Sequence, residues 1–102
     1  MQLLPNAEYN QMECTALISA GRLTVTLYNK TKWNICEMMV HVDVVGNDPA
    51  KTRISRDFIV TADSPVGWLQ TGKLTAFVGD EVEPRQLEKL EWKWMKVAGF
   101  ID

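Results

Sequence analysis

The sequence is predicted to be all-β, a single antiparallel immunoglobulin-like β-sandwich of about six or seven strands spanning residues 1–102. Three observations lead there. Apolar and polar residues alternate with period two through most of the chain, the pattern of strands with one face buried. Turn-forming residues punctuate these runs, most clearly at Gly46-Asn47-Asp48-Pro49. Beyond the first twenty residues, no segment carries a helical period. A small barrel is the alternative architecture.

The first twenty residues read two ways. Asn6 could cap a helix ending near Gly21, with Tyr9, Met12 and Ala16 along one stripe. Equally, Cys14, Ala16 and Ile18 could line a strand over Glu13–Ser19 that turns through Ala20-Gly21, and this is the expectation adopted. Residues 1–12 are then irregular or a short helix. Arg22–Tyr28 follows as a strand with Leu23, Val25 and Leu27 on one face and Thr24 and Thr26 on the other. Asn29-Lys30-Thr31-Lys32 is a polar turn able to close a hairpin onto the next strand. That strand, Asn34–Val45, sets Cys36, Met38, Val40, Val42 and Val44 on its apolar face, with Ile35, Glu37, Met39, His41 and Asp43 opposite. Its length predicts a bend or bulge.

A third strand runs from Thr52 to Val60, carrying Ile54, Phe58 and Val60 on one face with Arg56 interrupting. Thr61-Ala62-Asp63-Ser64-Pro65 breaks the pattern, and Val66–Leu69 forms at most a short strand. Lys73–Val78 is the next run, bounded by Gly72 and Gly79-Asp80. The last, Glu88–Val97, aligns Leu90, Trp92 and Trp94. After Trp94 the polarity switches to Met95 and Val97, and a bulge there would keep both sets inward.

The run from Leu23 to Val45, LTVTLYNKTKWNICEMMVHVDVV, together with Gly72-Lys73-Leu74-Thr75-Ala76-Phe77, resembles the bacterial Ig-like domains of the FxLYD type. In these a strand ends in Asn, a polar turn follows and a long alternating strand returns. The resemblance implies an accessory or interaction module of a bacterial protein, in an exported or cell-envelope setting, with a protein partner and no catalytic residues.

Composition sets further bounds. At 46% hydrophobic and 24% charged the chain suits a folded domain rather than a disordered one. Thirteen acids against eleven bases, net charge −2, argue against nucleic-acid binding by bulk charge. No apolar run reaches the roughly 18 residues of a membrane helix, and the amino terminus lacks the basic start and apolar core of a secretory signal. No cofactor and no metal site is expected. Cys14 and Cys36 could form one disulfide if their strands are neighbours, or remain two buried thiols. His41 could join Glu37 or Asp43 in a carboxylate–histidine pair, on a face expected to meet solvent. Asp80, Glu81 and Glu83 lack the ligand spacing of a calcium loop. Lys51, Arg53 and Arg56 read as a solvated face.

Four tryptophans remain. Trp92 and Trp94 share a face with Leu90 and are expected in the core. Trp33 and Trp68 lie beside loops, where exposed rings could stack on a partner protein or a sugar. The functional expectation is therefore a non-catalytic module that binds a protein partner, with Trp33 and Trp68 as candidate contacts. A carbohydrate- or small-ligand-binding sandwich and a homo-oligomer formed through a free sheet edge are the alternatives.

Overall fold

The computed structural model describes all residues, 1–102. It contains eight strands: β1 (Gln2–Leu3), β2 (Met12–Ser19), β3 (Arg22–Asn29), β4 (Asn34–Val45), β5 (Arg53–Val66), β6 (Gln70–Phe77), β7 (Arg85–Leu87) and β8 (Trp92–Phe100). A short 3-10 helix, Asn6–Gln11, links β1 to β2, so the amino-terminal segment holds both a helical turn and the expected strand. The fold is all-β and antiparallel throughout. The strand count exceeds the expected six or seven. All eight strands also join in one sheet, of order β1-β8-β4-β5-β6-β3-β2-β7, which curls into a half-barrel around one core. No helix is long and apolar enough to cross a membrane.

Strand β5 makes the sheet continuous. Its residues Arg53 to Thr61 pair with β4, and Thr61 and Ala62 pair with Thr75 and Leu74 of β6. The expected break at 61–65 is therefore not a strand end. Between the pairs Glu37–Thr61 and Ile35–Val66 the chain leaves β4, and Pro65 falls in that detour, where its missing N–H breaks no ladder bond to β4. Val66 closes β5 rather than opening a new strand, and Gly67-Trp68-Leu69 is the turn into β6.

The core follows the period-two pattern. Leu23, Val25 and Leu27 of β3 are fully buried, as are Met38, Val40, Val42 and Val44 of β4, apart from a few per cent of surface. Two bulges reset the phase elsewhere. One lies between Ile35 and Glu37. It turns Ile35 into the core and leaves Cys36 half-buried, the reverse of a straight strand's assignment. The second skips Met95, because Val40 pairs with Trp94 while Met39 pairs with Lys96. Trp92 and Val97 both face inward as a result, as the polarity switch foretold, but the bulged Met95 turns out and is 42% exposed. Leu90, expected alongside the tryptophans, precedes β8 in a turn and is 94% exposed.

The connections correct one further expectation. Asn29–Lys32 closes no hairpin, since β3 pairs with β2 and β6 whereas β4 pairs with β5 and β8. This segment carries the chain from one half of the curled sheet to the other. Its conformation is held by Asn29, whose side chain is wholly buried. The Asn29 amide donates to the carbonyls of Trp33 (2.7 Å) and Val66 (2.9 Å). Its Oδ1 accepts from the Thr31 amide (2.8 Å) and hydroxyl (2.7 Å), and Thr31 Oγ1 accepts from the Trp33 amide (3.1 Å). Both donors and both acceptor positions of the Asn side chain are thereby used. By contrast, β2 and β3 do form a hairpin, through Ala20 (φ 53°) and Gly21 (φ 74°), the two positive dihedrals that match the twist of paired strands.

Two stability outcomes follow. Asn29→Leu preserves volume but strips partners from two carbonyls, an amide and a hydroxyl, each costing about 1–3 kcal/mol if left unpaired in the interior. Thermal unfolding followed by circular dichroism should show the melting temperature falling by at least about 10 °C. Val40→Asp places an unpaired charge on the buried face of β4 and should leave the protein unfolded at 25 °C. A folded variant with near-native melting would show that this face does not form the core.

Candidate functional site

The curl does not close, and the opening is where the edges of β2 and β8 face a common groove. Strand β2 pairs with β3 along its whole length, but with β7 only at Ala16–Ile18. Strand β8 pairs with β4 along its length, but with β1 only at Ala98 and Gly99. Residues 12–15 and 92–96 therefore each keep one edge without a strand partner. The groove between them has a volume of about 340 Å³ and is lined by Met12, Cys14, Trp92 and Trp94, with Glu13, Lys89 and Lys93 at its margin.

The floor is apolar and well defined. Trp92 and Trp94 meet edge to face, with ring centres 6.2 Å apart and planes at 84°, a favoured arrangement of aromatic quadrupoles. Trp92 is buried and Trp94 half-buried. Burial pushes the Cys14 thiol up to about 12, against the opposing pull of the Lys89 ammonium. The thiol is thus protonated at neutral pH and packs as an apolar group. Beyond the groove, the Val97 amide of β8 donates to the Tyr9 hydroxyl (3.2 Å), so the 3-10 helix satisfies the edge there.

The rim is positively charged. Glu13 is engaged by Lys30 at 2.9 Å, whereas Lys89 and Lys93 have no carboxylate within ion-pair distance. In a chain of net charge −2, this leaves two uncompensated ammonium groups beside an aromatic floor.

A second cluster lies on the outward face of β4 and β5. His41 sits opposite Asp57 in the ladder, and Asp43 sits opposite Ser55. His41 Nδ1 contacts Asp57 Oδ1 at 2.6 Å, and Ser55 Oγ contacts His41 Nε2 at 2.9 Å. Arg53 grips Asp43 through Nε and Nη2, both at 3.1 Å, which holds the Asp43 carboxyl below its usual range. The sequence paired His41 with Glu37 or Asp43 on its own strand. Its hydrogen-bond partners instead come from β5, a non-local pairing that spacing along one strand does not encode.

The other sequence candidates separate. Trp33 is 9% exposed and belongs to the core, because the Asn29–Thr31 network draws its backbone inward. It offers no ring for stacking at the surface. Trp68 is 59% exposed at the β5–β6 turn beside Leu69, which holds a positive φ of 61°. Of the two candidate contacts, only Trp68 is thus exposed. Cys14 and Cys36 are free thiols on strands that three others separate in the sheet, so the suggested bridge is absent. Glu81 pairs with Arg56 and Glu83 with Lys51, and no three His, Cys, Asp or Glu side chains gather as a metal site. Trp92 belongs to the core, as alternation predicts, and Trp94 packs against it half-buried; the same two rings also line the groove floor. Their alternation with Lys93 along β8 is the one trace of this in the sequence.

No family model, curated protein or solved structure matches the chain in comparisons with known proteins.

The depth of Cys14 has a direct chemical readout. With its pKa near 12, the thiolate fraction at pH 8 is on the order of one in ten thousand. Alkylation of Cys14 by iodoacetamide in the folded protein should therefore be slow at pH 8 and accelerate about tenfold per pH unit toward 12. Mass mapping of the alkylated peptides checks this. An ordinary thiol rate at pH 8 would mean that the groove floor is open to water.

Proposed function

We propose that this domain is a non-catalytic interaction module that binds an extended segment of a partner protein in the groove between β2 and β8. The observation that carries this reading is the pair of unpartnered strand edges flanking an aromatic floor. An added strand gains backbone hydrogen bonds from such edges and side-chain contacts from the floor, the usual terms of recognition by strand addition. The uncompensated Lys89 and Lys93 favour a segment carrying acidic residues, with an aliphatic or aromatic side chain turned onto Trp94. An interaction role is also what the resemblance to bacterial Ig-like modules implies. In this reading the strand sets β1-β8-β4-β5 and β6-β3-β2-β7 of the single curled sheet would correspond to the two layers of those modules, with β5 as the link between them. The small groove fits a transient rather than an obligate contact.

Trp68 supports a second reading, stacking on a sugar, through the exposed ring that it presents beside a strained Leu69 backbone. Quenching of tryptophan emission by added oligosaccharides, lost in Trp68→Ala, would favour that reading.

Selection of random ten-residue peptides displayed on phage against the intact protein tests the first reading. Peptides with alternating apolar residues and at least one Asp or Glu should be enriched. Their binding should weaken about tenfold or more in Trp94→Ala and in the Lys89→Glu/Lys93→Glu double variant. Enriched peptides that bind both variants as well as the parent, or no enrichment at all, would overturn the assignment. Sedimentation of the protein alone distinguishes a second copy as the occupant, since self-pairing through these edges would give a dimer dissociated by the same charge reversals.

A further inference from the structure

The outward face of β4 and β5 carries an arrangement that partner binding at the β2–β8 groove does not use. An ionised carboxylate only accepts hydrogen bonds. At 2.6 Å from Asp57, His41 Nδ1 therefore holds the ring hydrogen, and in the neutral imidazole Nε2 is left as an acceptor. The hydroxyl 2.9 Å from Nε2 must then donate, so the Ser55 proton points at a base whose far side is held by a carboxylate. This is the hydrogen-bond order that activates a serine: nucleophile, base, and a third group that fixes the base.

We infer that Ser55 is an activated nucleophile that accepts acyl groups from small activated esters. The surroundings supply the rest of the chemistry. Arg53 and Ser55 share one face of β5, being two residues apart. Arg53 spends Nε and one terminal nitrogen on Asp43, the residue opposite Ser55, and keeps its remaining donors for a developing oxyanion. On the other side of His41 lies a hollow of about 230 Å³, bordered by Asp43, Leu90 and Lys93. In the step itself, Ser55 Oγ bonds to the ester carbonyl carbon as its proton passes to His41 Nε2. The tetrahedral adduct then collapses, the ester C–O bond breaks, and the leaving oxygen takes the proton back from Nε2. Acyl-Ser55 and the free alcohol or phenol are the products, with no redox change.

The chain has its own controls, because it contains only two other serines, Ser19 and Ser64. Both are exposed, as Ser55 is, and neither side chain hydrogen-bonds to another group of the protein. The intact protein is treated with p-nitrophenyl acetate at neutral pH and the acetylated peptides are mapped by mass spectrometry. Acetyl should accumulate on Ser55 about a hundredfold or more above Ser19 and Ser64, the range that a positioned base contributes. His41→Asn should reduce Ser55 acetylation to the level of the other two serines, and Asp57→Asn should lower it. Ser55→Ala should lower the initial rate of p-nitrophenol release. Circular dichroism verifies that each variant remains folded, and these outward-facing positions leave the core intact. Equal acetylation of the three serines, or Ser55 acetylation unchanged in folded His41→Asn, would overturn the inference. So would p-nitrophenol release that is unaffected by Ser55→Ala.

Discussion

The buried side chain of Asn29 is the constraint on which the rest of the architecture depends. It sits where the chain crosses from one half of the curled sheet to the other. Its amide and carbonyl tie the crossover turn at Thr31 and Trp33 to the end of β5 at Val66. Its backbone carbonyl also receives the Leu69 amide (2.6 Å), and the neighbouring Lys30 amide donates to Gln11 (2.9 Å). Asn29 and its neighbour Lys30 thus gather the start of β4, the β5–β6 turn and the approach to β2. A buried amide of this kind is costly unless every polar atom is paired. The network satisfies that condition, and in doing so fixes how the two halves of the sheet meet.

The open groove is the complement of that arrangement. Strand β5 joins the halves on one side, and the short strands β1 and β7 cover only part of the edges on the other. Unpaired strand edges invite indiscriminate pairing, and lysines are a common deterrent. Lys93 and Lys96 lie on β8, and the Tyr9 hydroxyl answers one edge amide directly. Repulsion of a like edge and attraction of an acidic segment are the same electrostatic property viewed from two partners. The edge protection and the proposed selectivity of the groove therefore need no separate devices.

Much of the fold was legible because burial on one side of a strand writes itself into the sequence with period two. Leu23, Val25 and Leu27, and Met38 through Val44, show it without ambiguity. The phase change at Trp94–Val97 even betrayed a bulge. What failed was whatever depends on non-local pairing. Ile35 and Cys36 exchanged roles because a bulge against β5 and β8 shifts the phase by one residue, and the alternation within β4 does not record how its partners are registered. The polar turn at Asn29 looked like a solvated hairpin, since a fully paired buried amide and an exposed one have the same letter. Trp33 was misplaced for the same reason, because its position is dictated by Asn29. At the sites, His41 was visible as an isolated titratable group, but Ser55 and Asp57 reach it from another strand. The edges that frame the groove are defined by which strands are absent beside them, and alternation carries no information about that.

The bulge at Met95 shows how a local irregularity positions both surfaces at once. In an uninterrupted strand, Trp92, Trp94 and Lys96 would share one face, and Val97 would point to solvent. With the extra residue, Trp92 and Val97 both face the interior, so the hydrophobic core continues under β8. The tryptophans before the bulge then reach the open end of the curl, where nothing covers the ring of Trp94 completely. The same pairing keeps Lys93 opposite His41 on the outward face. An ammonium thus stands at the margin of both the aromatic groove and the hollow beside the histidine. Strand β8 therefore borders both surfaces through Trp92 and Lys93, and a charge reversal at Lys93 acts on both electrostatic environments without touching the core between them.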